Sequence, residues 1–154
     1  MTEMERILDQ YQRGWDGEPW HGPSLREVLR GVTASQANAR PIVGAHTIAE
    51  IVQHLSYWRW AAMERVAGAL VSPAHDEQWP PLRDDSVAAW QEALALLESR
   101  HQALMHTLRK LKDDQLAQPI AGRPYNLYVQ LHGNLQHDIY HIGQIALLKR
   151  ALQT

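Results

Sequence analysis

His137-Asp-Ile-Tyr-His141 places two imidazoles at i and i+4. On a helix such a pair shares one face, roughly 6 Å apart at Cβ, and both rings can reach one ion. Borderline ions such as Zn²⁺ take neutral imidazole at roughly 2.0–2.1 Å, and two ligands from one helix are rarely enough. His54 is the best third ligand. It lies about two turns into another amphipathic segment, beside Ile51 and Trp58, at the edge of that segment's apolar arc. His137 and His141 likewise edge the arc of Leu127, Leu131, Leu135, Ile142, Ile145 and Leu148. If both arcs face one core, the three imidazoles converge at its rim. Three protein ligands plus water is the open arrangement of a catalytic site, not a closed structural one. A single H-x-x-x-H pair is common by chance, and a bundle histidine is more often a hydrogen-bonded core residue. The second His-bearing amphipathic segment is what favours the metal.

Other residues near this constellation have two readings each. Glu50, one turn before His54, could reach a metal or act as a base, but a capping role with Thr47 accounts for it. Asp138 points toward the middle of an apolar arc, where an unpaired carboxylate is costly. It could accept a hydrogen bond from a ligand histidine, bond another side chain, or lie at the surface. Gln144 and Asn134, three residues either side of the pair, could orient water or substrate or make structural bonds. His101 occupies a core position of its own helix and is a candidate fourth ligand or base, against a plain buried histidine. Trp58 and Tyr140 could line a pocket or simply pack. Gly133 and Gly143 suggest close helix approach or space for a ligand. His-Asp-x-x-His is not the zinc-protease H-E-x-x-H: Asp138 is one methylene short of its glutamate, and no His, Asp or Glu follows His141. His21, His46, His75, His106 and His132 receive no site role.

These side chains need helices to hold them, and helical patterns dominate. Thr2-Glu3-Met4-Glu5 reads as a capping box opening a helix of about three turns. Gly14 to Pro23 is a break, and Ser24 to Leu29 a short helix stopped by Gly31. Thr47-Ile-Ala-Glu50 is a second capping box, followed by an apolar pattern to about Leu70. Ile48, Ile51, Leu55, Ala62, Val66 and Ala69 share its face. After a Pro-rich loop, Val87, Trp90, Leu94, Leu97, His101, Leu104, Leu108 and Leu111 form a heptad seam from about Asp84–Ser86 to Lys112. A last helix is predicted from about Asn126 to Leu152. No hairpin signal or strand pattern survives. The expectation is an all-α four-helix bundle, one domain over 1–154. Two longer loops, about 71–83 and 112–125, leave the connection topology open.

Composition limits the function. A chain of 154 residues is long enough for a sizeable core. It has nine histidines, which make a metal site worth seeking, and no cysteine, which excludes disulfides, thiolate metal sites and cysteine nucleophiles supplied by this chain. Six tryptophans and no phenylalanine leave Trp to fill core volume or line a pocket. A net charge of -2 with no basic stripe argues against nucleic acid and anionic membranes. No signal peptide or membrane-spanning run is visible, so a cytoplasmic protein is expected.

Gly44-Ala-His-Thr-Ile-Ala-Glu-Ile-Val-Gln-His54, with Trp58 following, resembles the second-helix signature of the DinB/YfiT-like superfamily. Leu131-His-Gly-Asn-Leu-Gln-His137-Asp-Ile-Tyr-His141-Ile-Gly-Gln144-Ile resembles its last-helix signature. The likeness extends over roughly residues 37–152. It implies a four-helix bundle, often a homodimer, with one metal ion, nickel or zinc, held by one histidine of the second helix and two of the last. At the matching positions these are His54, His137 and His141. Characterised relatives include transferases and isomerases that use bacillithiol, mycothiol or glutathione, in which the metal would stabilise the thiolate of the cosubstrate. The resemblance therefore implies a thiol-dependent transferase-like or hydrolase-like activity on a small-molecule substrate. The competing expectation is a non-catalytic, stress-related or interaction bundle whose histidine cluster is structural or vestigial.

Overall fold

The structure, a computed structural model, describes residues 1–153. Among the described residues six α-helices form: α1 Glu3–Asp16, α2 Leu25–Leu29, α3 Ala34–Asn38, α4 Ile48–Val66, α5 Val87–Leu108 and α6 Leu127–Ala151. Among the described residues, extended pairing is limited to the isolated bridge between Pro119 and Asn126. No helix among the described residues is long and apolar enough to cross a membrane. The fold is all-α, with the four long helices expected from the sequence.

Local signals set most of the boundaries. Thr2 caps α1 in a reciprocal box with Glu5, and Thr47 caps α4 with Glu50 in the same way. Ser24, Ser86 and Asn126 cap α2, α5 and α6. The ends of α1 and α4 and the presence of α3 differ from the sequence reading. Helix α1 continues through Gly14 to Asp16, because Trp15 is buried in the core and its burial outweighs the glycine's helix cost. Helix α4 ends at Val66, not Leu70, since Gly68 turns the chain at φ +90°. Helix α3 was not anticipated, although Thr33 and Gln36 form the same reciprocal cap seen at α1 and α4. In α5 the seam is narrower than the heptad suggests: Val87 is exposed and Leu94 and Leu111 half-buried, while Trp90, Leu97, His101, Leu104 and Leu108 are buried.

Two apolar clusters give the helix directions. One gathers Trp15, the first half of α4 (Ile48 to Leu55), Trp90 and Leu97 of α5, and Ile142 to Leu148 of α6. The other gathers Met4 to Tyr11, Ala62, Leu104 to Leu108, and Leu127 and Leu131. Thus α4 and α5 run parallel, and α1 and α6 run opposite to them. Helix α4 packs on both α5 and α6, and α1 closes the ring. A parallel α4–α5 pair cannot be joined by a tight turn, so residues 67–86 must travel back along the bundle. That return segment passes the histidines.

Candidate metal centre

His54 lies at the end of the second turn of α4, and its height along the bundle is set by the cap at Thr47. Thr47 Oγ1 accepts from the Glu50 amide at 3.1 Å, and Glu50 Oε2 accepts from the Thr47 amide at 2.7 Å. His137 and His141 project from the middle of α6, which runs antiparallel to α4. The three rings meet. His54 Nε2 lies 2.9 Å from His137 Nε2, and His141 Nε2 lies 3.1 Å from the same atom. One ligand atom from each of the three lies within 4.8 Å of the other two.

The outer ring nitrogens fix the chemistry of the inner ones. His54 Nδ1 is 2.7 Å from the Gln78 carbonyl oxygen. A carbonyl only accepts, so Nδ1 carries the hydrogen and Nε2 presents a lone pair. His141 Nδ1 is 2.6 Å from Gln144 Oε1, which gives the same tautomer. His137 Nε2 faces both of these lone pairs, so either a hydrogen on His137 Nε2 or a shared cation lies between them. Separations near 3 Å suit neighbouring ligands of an ion bonded at roughly 2.0–2.1 Å. His54 and His141 are buried and His137 half-buried. Burial is the largest influence on all three and disfavours the charged ring: His54 is pushed down to about 4, His137 to about 3, and His141 is also lowered. Near neutral pH all three are the uncharged imidazoles a divalent ion requires, so the donor set fits such an ion.

Aromatic rings enclose the cluster. Trp79, from the return segment, stacks on His54 at 3.8 Å, and His46 stacks on Trp79 at 3.6 Å. Trp58 meets His137 edge-on at 5.8 Å. A cavity of about 290 Å³ opens beside His137, with Trp58, Gly133 and Asn134 in its wall.

The other candidates separate clearly. Gln144 touches a cluster histidine directly. Asp138 bonds no histidine; its carboxylate pairs with the buried Arg59 at 2.8 and 3.2 Å. Burial pushes that carboxyl upward against the opposing pull of Arg59. Glu50 is occupied by its cap and by Arg40 and His46, and does not join the cluster. His101 is not a fourth member either: it stacks on Trp15 at 3.9 Å, on the side of the core where α1 meets α5. Asn134 Oδ1 accepts from the Tyr11 hydroxyl at 3.0 Å while lining the cavity. Tyr140 is exposed, its ring 5.2 Å from His141. Gly133 and Gly143 meet no close neighbour, so neither serves close helix packing. Gln78, Trp79 and Arg59 were missed from sequence. Gln78 acts through its backbone, which leaves no signature, and Trp79 lies in a loop without periodicity. Arg59, on the apolar side of α4 and facing a carboxylate in α6, was the one legible hint.

A family model for the DinB superfamily matches residues 20–145. This chain belongs to the DinB superfamily. The match takes in the whole of α4 and α6 as far as residue 145, and with them all three histidines of this DinB-superfamily bundle. The crystal structure of a conserved protein from Enterococcus faecalis shares the architecture, with a TM-score of 0.72, 16% identity, and coverage of 98% of this chain and 97% of that one. At that identity the likeness concerns the fold alone. No curated protein matches the chain.

Proposed function

We propose that this protein is a metal-dependent enzyme acting on a small molecule, with His54, His137 and His141 as the ligands of one divalent ion, nickel or zinc. The observation that carries the reading is the convergence of three Nε2 atoms, two of them held with lone pairs inward by Gln78 and Gln144. An ion bound there would act as a Lewis acid that makes a coordinated water or thiol nucleophilic near neutral pH. The protein's own part is to orient and shield. Gln78 and Gln144 lock two tautomers, Trp79 and His46 cover one side of His54, and Trp58 and Asn134 shape the space beside His137. With no cysteine in the chain, any thiol would come from a cosubstrate, and we favour a thiol-dependent transferase-like or hydrolase-like reaction in the cytoplasm.

Elemental analysis of untagged protein tests the assignment. About one equivalent of a divalent transition metal is expected, lost in His137→Ala and kept in His101→Gln. A His137→Ala protein with full stoichiometric metal would refute it. Screening thiols and small electrophiles with the metal-loaded protein then tests the reaction class. We also propose a homodimer, on the family resemblance; sedimentation showing only monomer at micromolar concentration would overturn that.

A further inference from the structure

The cavity beside His137 carries positive charge that the protein does not balance. Arg65 is 3% exposed, and Arg123 is half-buried. Both line this cavity together with His137. Each donates to the same oxygen, the Val71 carbonyl, at 2.9 Å from Nη2, which sets two guanidinium groups side by side. Arg65 also donates to Gln130 Oε1 at 3.0 Å and to the Tyr125 hydroxyl at 3.3 Å. These acceptors are all neutral. They hold the geometry but do not offset the charge. Among the described residues neither arginine forms an ion pair, whereas the comparably buried Arg59 is given Asp138. Burying a cation without a counter-charge is costly, and so is placing two together. The lining residues also carry buried nitrogens without partners: Trp58 Nε1, Arg123 Nε and His137 Nδ1.

Trp58, Tyr125 and Val129 give the wall an apolar side, and Gln130, Gly133 and Asn134 complete it. A volume of about 290 Å³ lies at the small end of ligand pockets, roughly 300–1,000 Å³. Planar guanidinium groups match the two oxygens of a carboxylate. We propose that this cavity binds a small organic carboxylate, its charge met by Arg65 and Arg123 and its apolar body lying against Trp58, Tyr125 and Val129. The acid is the substrate or cosubstrate of the metal-dependent reaction, and in this respect the inference rests on that reading. Its far end reaches His137, the cluster member that shares the cavity.

Calorimetric titration with benzoate, its neutral isostere benzamide, and inorganic phosphate tests the subsite, on protein as purified and after chelator treatment. Benzoate should bind one to one in both preparations, at least tenfold more tightly than benzamide or phosphate. Arg123→Gln should weaken benzoate at least tenfold, and Arg123→Lys should recover part of the loss. Equal binding of benzoate and benzamide, tighter binding of phosphate, no binding of any probe, or an unaffected Arg123→Gln protein would each overturn the proposal. Metal content measured on the same samples separates the two readings. Protein without metal that still selects benzoate removes the metal centre and leaves the carboxylate site. Metal-loaded protein blind to benzoate does the reverse.

Discussion

Arg59 of α4 and Asp138 of α6 form a two-point ion pair inside the bundle, Nη2 to Oδ2 at 2.8 Å and Nη1 to Oδ1 at 3.2 Å. Both are buried, and Asp138 is the residue next to His137. The pair ties the two histidine-bearing helices together at the level of the cluster. Removing one partner strands a buried charge, so Arg59→Met or Asp138→Leu alone should cost about 3–5 kcal/mol in denaturant unfolding. The double variant should recover much of that, because an apolar pair of similar volume replaces the ions. Additive losses in the double variant would show that the two groups do not stabilise each other.

Gln144 is expected to matter through His141, not through any step of its own. Gln144→Ala should lower metal affinity roughly 10–100-fold, as loss of a partner that orients a ligand ring commonly does. Gln144→Glu, which keeps the acceptor, should retain most of the affinity. Competition with a chromogenic chelator measures both. Equal affinity in Gln144→Ala and the parent would remove it from the site.

His101 supplies an acid-sensitive element outside the histidine cluster. Burial, reinforced by Arg59, pushes its pKa down to about 3. The unfolded chain, with an ordinary value of about 6.5, therefore binds more protons between these limits. Stability is lost as pH falls below about 6.5. In His101→Leu, which cannot take up the proton, the fall should be shallower, by on the order of 2–3 kcal/mol at pH 4. Parallel curves for the two proteins from pH 7 to pH 4 would contradict this placement.

Glu50 is assigned to the α4 cap and not to metal chemistry. Thr47→Ala should cost about 1 kcal/mol of stability. Glu50→Gln, which keeps an acceptor for the Thr47 amide, should leave metal affinity within about twofold, since Glu50 is not one of the cluster residues. A large loss of metal in Glu50→Gln would return this carboxylate to the candidate ligands.

The features legible in the residue order were those with short-range causes. The caps at Thr2 and Thr47 work over three residues, and the His137–His141 pair works over one helical turn. Even α3 carries such a signal, the reciprocal cap of Thr33 and Gln36. The overall all-α class followed from apolar periodicity for the same reason.

What lay beyond such reading depends on which helix runs beside which, and in what direction. Asp138 could have met a histidine, another side chain or water, and the antiparallel run of α6 against α4 set Arg59 opposite it. His101 shares the heptad seam with core leucines, yet α1, bringing Trp15, claimed it and kept it from the cluster. Gln78 and Trp79 reach His54 because parallel α4 and α5 force their connection back along the bundle. Arg65 and Arg123 share one carbonyl across a loop of no regular pattern. Local periodicity specifies the face a residue occupies. Its partner is chosen by long-range packing, whose energy is spread over the whole core and written in no single stretch of the chain.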